Sequence, residues 1–181
     1  MKSVLVIYAH PSPNKSGLHK YLFEAAGTLS HVVRRDLYEL YPNLHIDIDA
    51  EQDALRAADT LVFQFPVHWF SSPAILKEWQ DTVLSNGFAY GTGENVLAGK
   101  HFMLAVSTGG SAASYSQLGR HGSGLENYLK PFEQTARFCG MKPLDNFIVQ
   151  SAGDLTQRAL EQTVQDYCGR LNKLGGDTNG N

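Results

Sequence analysis

The chain has 181 residues, 43% of them apolar and 18% charged, and a formal net charge of −3 at pH 7. That length supports one well-packed domain rather than two of ordinary size, and that composition excludes the disordered and fibrous classes. A weak negative charge without a basic stripe excludes nucleic acid as the main partner.

No apolar stretch approaches the ~18–20 residues that cross a bilayer. Met1-Lys2-Ser3-Val4 runs straight into a strand with no small-residue cleavage site, so no signal peptide is read and a cytoplasmic location is expected. Cys139 and Cys168 fit neither a ligand spacing nor a redox pair and are expected to be inert thiols. The seven histidines scatter over separate elements, so no metal site is expected.

Along the chain, short β-rich runs alternate with longer helical stretches. Val4-Leu5-Val6-Ile7-Tyr8 is a continuous apolar run, the pattern of a strand covered on both faces. A helix over 18–29 follows, with Ser16 as a candidate N-cap. Residues 32–35 form a weaker edge strand. A loop holding Tyr38, Tyr41 and Pro42 leads to Asp49-Ala50-Glu51-Gln52, where acidic residues open a helix to residue 57.

Leu61-Val62-Phe63-Gln64-Phe65 is the third strand, stopped by Pro66, and Pro73 opens a helix to residue 84. A strand over 102–106, a helix over 125–139, a strand over 147–149 and a helix over 155–174 complete the series. Residues 175–181 are expected to be a polar, frayed tail on a single domain spanning 1–174.

Five βα units in series imply an α/β fold, a three-layer sandwich with a five-stranded parallel sheet, for which the commonest arrangement, and the one expected, is the flavodoxin-like order 2-1-3-4-5. Its ligand crevice lies at the carboxyl ends of the strands where the winding reverses. The loops after strands one, three and four are therefore the ones that carry chemistry.

After strand one, His10-Pro11-Ser12-Pro13-Asn14-Lys15-Ser16-Gly17 precedes a helix. Free N–H groups, a hydroxyl and a lysine make an anion seat there, or else a capped helix behind a proline-stiffened turn. No G-x-G-x-x-G and no G-x-x-x-x-G-K-[ST] occurs, which disfavours a Rossmann dinucleotide seat and a P-loop. Asp36 after strand two is expected to be a turn residue.

After strand three, Trp69 and Phe70 sit in a loop between prolines. They offer flat walls for a ring ligand, or else a cover for the sheet end or a subunit contact. After strand four, Ser107-Thr108-Gly109-Gly110 lets backbone lie flat against a ligand, because no Cβ intrudes. Tyr115 and His121 bring a hydroxyl and a titratable ring to the same place, the equipment of a redox site with its own proton-handling pair.

Gln64-Phe65-Pro66-Val67-His68-Trp69-Phe70-Ser71-Ser72-Pro73-Ala74-Ile75-Leu76-Lys77-Glu78-Trp79 resembles the NAD(P)H:quinone oxidoreductase family. So do Gly87-Phe88-Ala89-Tyr90-Gly91, Ser107-Thr108-Gly109-Gly110-Ser111, and Tyr115-Ser116-Gln117-Leu118-Gly119-Arg120-His121-Gly122. Within that family, the short chain with Leu37-Tyr38-Glu39-Leu40-Tyr41-Pro42 and Asp47-Ile48-Asp49 resembles the KefF-type ancillary proteins, which act with glutathione-gated potassium efflux antiporters.

The resemblance implies a flavodoxin-like homodimer, with its active site at the interface, that passes two electrons from NAD(P)H through a flavin to quinones. His10, Ser16, Gly17, Leu18 and His19 would hold the flavin phosphate. Pro66, Val67, His68 and Trp69, with Ser107, Thr108, Gly109 and Gly110, would hold the ring. Phe70, with Phe88 and Tyr90 from the partner subunit, would wall the substrate pocket. Tyr115 and His121 would be catalytic, neutralising the charge that the hydride step leaves at the ring edge.

The expected flavin is FMN, with FAD as the alternative, because the chain ends soon after its last helix. His19 stands where many members carry asparagine and His68 where many carry glutamine. An antiporter's cytoplasmic domain is an expected partner, which would place the protein peripherally on the cytoplasmic face of the inner membrane. A regulatory subunit with flavin as a structural ligand is the second reading, and a one-electron carrier a third.

Overall fold

In the computed structural model, which describes residues 1–12 and 17–176, β1 is Val4–Tyr8 and every one of its residues is buried. Period-two alternation sends Leu5 and Ile7 into one apolar layer and Val4 and Val6 into the other. β3 (Thr60–Pro66) and β4 (His101–Ser107) divide the same way. Leu61, Phe63, Phe65, Phe102, Leu104 and Val106 face one layer; Val62, Met103 and Ala105 face the other.

The first layer is closed by α4 (Ala74–Val83) and α5 (Leu125–Phe138). The second is closed by α1 (His19–Ala26) and α6 (Gln157–Gly175). β2 (Val32–Asp36) is an edge strand, half exposed. The sheet is parallel, in the order β2-β1-β3-β4-β5, as the βα series implies.

The fifth position departs from one continuous strand. It is filled by β5 (Lys142–Pro143) and β6 (Phe147–Val149), both paired with β4. Between them the Asn146 side chain takes over from backbone: its Oδ1 accepts the Leu104 N–H at 3.1 Å, and its Nδ2 donates to Glu133 Oε1 at 3.1 Å. The β4 ladder thus stays satisfied while the chain bulges away.

Other boundaries shift for local reasons. α2 (Leu37–Leu40) forms where a loop is expected, because Asp36 caps it, accepting from the N–H groups of Tyr38 and Glu39. α3 (Ile48–Ala57) starts earlier than the acidic cluster at 49–52 implies, since Asp47 is the cap. α1 starts at His19 with no side-chain cap, and Ser16 lies outside the described residues.

Residue 175 belongs to the fold rather than to a tail. Gly175 is the last residue of α6, is buried, and accepts the Lys2 N–H at 3.1 Å. A Cβ there would sit 2.0 Å from the His31 ring, so only glycine allows the approach. Among the described residues no helix is long and apolar enough to cross a membrane.

Candidate active site

The carboxyl ends of β1, β3 and β4 lie side by side, held past their strands by Ala9 N–H to Gln64 O (3.0 Å) and Val67 N–H to Ser107 O (2.8 Å). Beyond them a cavity of about 380 Å³ is bounded by Val67, Trp69 and Phe70 on one side and by Gly109, Gly110, Tyr115 and His121 on the other, with Ser114 and Arg120 at its rim. Residues read from two separate loops therefore share one crevice, of a size that takes a planar ring system.

The aromatic loop is a two-residue hairpin turn. His68 and Ser71 exchange N–H···O bonds of 2.9 Å each, and Trp69 and Phe70 occupy the left-handed region with φ of 49° and 65°. Such turns ordinarily use Asn-Gly, because side chains with a Cβ pay to sit there. Two bulky aromatics held in that conformation are local strain of the kind that collects at functional sites. Trp69 is left 94% exposed, while Phe70 is tied down by His121 (ring centroids 5.2 Å) and Tyr128 (5.0 Å).

The glycine loop is braced from β6. The Gly110 carbonyl accepts from Thr108 Oγ1 (2.7 Å) and from the Ser151 N–H (3.1 Å), and Ala152 N–H donates to Thr108 O (3.0 Å). A Cβ on Gly110 would crowd Tyr115 at 3.2 Å and His121 at 3.4 Å, whereas one on Gly109 would meet nothing within 4 Å. The loop therefore leaves open room beside a fixed backbone. Among the described residues neither glycine N–H has an acceptor, so two donors are free for a ligand.

Tyr115 and His121 pack against each other with ring centroids 4.5 Å apart and planes tilted by 42°, and the ring polar atoms of both lack a hydrogen-bond partner among the described residues. Burial, then the neighbouring Tyr128, raises the Tyr115 phenol above its ordinary pKa, so it stays a proton donor at neutral pH. Tyr128 is absent from the sequence reading. Its hydroxyl donates to the His121 carbonyl at 3.2 Å and its ring meets Phe70 and Tyr115, which fixes His121 against the crevice. The available signal was an aromatic in the first turn of the helix that follows the glycine loop.

At the β1 end, His19 is 2% exposed and its Nε2 lies 2.8 Å from Ser107 Oγ. A buried polar chain supports it: Tyr167 Oη donates to Gln64 Oε1 (3.0 Å), and Gln64 Nε2 donates to the His19 carbonyl (2.9 Å). Buried Gln64, on an otherwise apolar face, is thereby fully used. His10, at 6.0 Å between ring centroids, completes the pair. Gly17 is exposed and Leu18 buried at the start of α1, where first-turn N–H groups lack helical partners. The buried Tyr8 hydroxyl also lacks a partner among the described residues.

Burial, with the nearby His10, pushes the His19 pKa down to about 3, and burial with His68 lowers that of His10. Both rings are neutral at pH 7. For His19 the folded pKa lies below the unfolded value near 6.5, so below that pH the unfolded chain takes up a proton that the folded chain refuses. Stability is therefore full above about pH 6.5 and falls by up to about 1.4 kcal/mol per unit as the pH drops toward 3. His19→Asn is expected to flatten this slope in urea titrations between pH 6.5 and 5; an unaltered slope would remove His19 as its source.

Pro66, Val67 and His68 lie on the β3 side of the crevice, and Ser107 and Thr108 are buried at its base. Phe88 and Tyr90 do not line this subunit's own crevice, and the expectation for them concerns a second subunit. Phe88 is buried in the core of its own subunit, with the Arg56 guanidinium 5.0 Å from its ring centre. Tyr90, half-buried, rests on Phe138 at 5.0 Å, ten residues and about 15 Å along α5 from Tyr128. That leaves Tyr90 as the ring with surface to offer a second subunit. No cluster of metal-ligating side chains occurs among the described residues.

Residues 2–171 match the family described as having a flavodoxin-like fold. Over 168 residues, 93% of this chain and 94% of its relative, the sequence is 42% identical to the glutathione-regulated potassium-efflux system ancillary protein KefF of Salmonella typhimurium. The general stress protein 14 of Treponema denticola, solved in complex with FMN, is similar at a TM-score of 0.90 and 36% identity, covering 95% of this chain and 99% of that one. An NADPH-quinone reductase from P. pentosaceus is similar at 0.85 and 26% identity, covering 97% and 99%. The chain belongs to the flavodoxin-like family and is a relative of the KefF-type ancillary proteins.

Proposed function

We propose that this chain is an FMN-dependent NAD(P)H:quinone oxidoreductase, acting as a homodimer with its crevice at the subunit interface. The observation that carries this reading is the convergence on one cavity of a Cβ-free, donor-bearing backbone at Gly109 and Gly110 with the adjoining Tyr115–His121 pair. The relative solved with FMN and the one named as an NADPH-quinone reductase support it.

Bound here, FMN would accept a hydride from NAD(P)H and pass two electrons to a quinone. Gly109 and Gly110 would present backbone N–H groups to the ring, beside Pro66, Val67, His68 and Trp69. His10, Gly17, Leu18 and His19 would hold the phosphate end with the first-turn N–H groups of α1. Phe70 walls the substrate side. Tyr115 donates a hydrogen bond where negative charge develops, and His121 holds and delivers the proton that makes the hydroquinone neutral. Exposed apolar Trp69 on the crevice, with exposed Leu118 two residues before Arg120 in the chain, favours a subunit contact there.

The test is the visible spectrum of the purified protein. A yellow preparation that releases FMN on denaturation, and oxidises NAD(P)H with a soluble quinone, is the expected result. A colourless preparation that takes up neither FMN nor FAD would overturn the reading.

The kinship with an ancillary protein of potassium efflux favours a second role. In it the chain docks peripherally on an antiporter's cytoplasmic domain and the flavin is structural. Quinone turnover separates the two, since a pure regulator shows none, and capture by an immobilised antiporter domain tests the docking.

A further inference from the structure

One charged side chain on the crevice is used by nothing in the fold. Arg34 and Arg170 donate to backbone carbonyls, Arg35 is paired with Glu51, and Arg56 with Asp53 and Glu94, while Arg137 and Arg158, whose side chains have no partner among the described residues, lie away from the crevice. Arg120 is exposed at the crevice rim and has no hydrogen bond or ion pair among the described residues. No carboxylate lines the cavity to neutralise it.

Its backbone, in contrast, is fixed. Gly119 N–H donates to Ser116 O (3.1 Å), His121 N–H to Ser114 O (3.1 Å), and Gly122 N–H to Gly119 O (3.0 Å). A Cβ on Gly119 would fall 2.0 Å from the Ala113 carbonyl, so the turn closes tightly just before Arg120. A hydrogen-bonded turn thus places Arg120 in the lining that it shares with Phe70, Tyr115 and His121.

We propose that Arg120 is a specificity-determining residue that binds an anionic oxygen group carried by the planar molecule entering the crevice. This rests on the oxidoreductase reading of the site. A guanidinium offers a planar fork that matches sulfonate, carboxylate or phosphate with two parallel hydrogen bonds. Apolar walls on one side raise the worth of that contact above what it has in open water. The ring core of such a ligand would pack against Phe70 on the substrate side, and the anionic substituent would fix which way round it lies. Two carriers share this chemistry: an acidic substituent on the acceptor, or the additional phosphate that distinguishes NADPH from NADH.

The experiment compares wild-type holoprotein with R120Q and R120K, using anthraquinone-2-sulfonate against uncharged 2-hydroxymethylanthraquinone, and NADPH against NADH. In R120Q the kcat/KM preference for the charged acceptor is expected to fall about tenfold, the order of one charge-assisted bidentate contact at a half-open site. R120K should fall between. Raising salt should erode the wild-type preference and leave that of R120Q flat. A comparable fall in the NADPH preference instead assigns the anion to the dinucleotide. Preferences within about twofold of wild type in both arms overturn the proposal. Flavin content, read from the spectrum, tests the parent reading separately. Should the protein hold no flavin, indole fluorescence quenching by the two anthraquinones gives the same comparison on the flavin-free chain.

Discussion

Glu51→Ala is expected to be the most destabilising single substitution in this chain, at about 3–5 kcal/mol. The Glu51 side chain is fully buried, yet it accepts from Arg35 Nε (2.9 Å), a second Arg35 nitrogen, Tyr41 Oη (2.6 Å) and Trp79 Nε1 (2.9 Å). Those donors come from β2, the turn after α2, and α4, so one carboxylate ties three elements to α3. Burial, then the adjacent carboxylate, pushes the Tyr41 phenol up to about 12, so it remains a donor throughout the neutral range.

Alanine would strand a half-buried guanidinium, a phenol and an indole N–H, and leave a hole. Against a typical stability of about 5–15 kcal/mol that is a large share. Urea unfolding at constant m-value measures it. Glu51→Gln, which keeps the volume and part of the hydrogen bonding, should cost less than alanine. A loss below about 1 kcal/mol in the alanine variant would show that the network adds nothing net.

Tyr115→Phe and His121→Gln are each expected to slow flavin reduction by up to roughly 10²-fold, about 2.7 kcal/mol of barrier, while flavin content holds. The two rings are in contact, with centroids 4.5 Å apart, and line one cavity, so they are expected to act as a unit. The double variant should therefore be about as slow as the worse single one rather than the product of both. Because burial and Tyr128 raise the Tyr115 phenol, the loss of rate traceable to its ionisation is expected only at higher pH than for an ordinary tyrosine. Stopped-flow traces unchanged in both single variants would remove the assigned roles.

Much of the frame was legible in the residues. The apolar runs of β1, β3 and β4 are buried on both faces, and periodicity reports that directly. Five βα units fix a parallel order under the short-connection and handedness rules, and that order names the crevice loops before any coordinate is known. The local sequence marks Asp36 as a turn residue, whereas the fold makes it a cap, a distinction that rests on two N–H groups just downstream. Glu51 has the local meaning of a helix opener, an acid in a first turn. Its burial under Trp79 and Arg35 depends on residues 28 positions ahead and 16 behind.

The parallel α/β sandwich is thus legible from local periodicity and chain connectivity, and the crevice loops follow once the commonest strand order for such a series is adopted. Only the tertiary structure decided which polar groups lose their water and which partners replace it. It closed the ladder with Asn146 where β5 breaks from β6, locked His121 with Tyr128, sank Phe88 into its own core, and left Arg120 unpaired beside Phe70. Those outcomes depend on distances between segments far apart in the chain, and no window of neighbouring residues contains them.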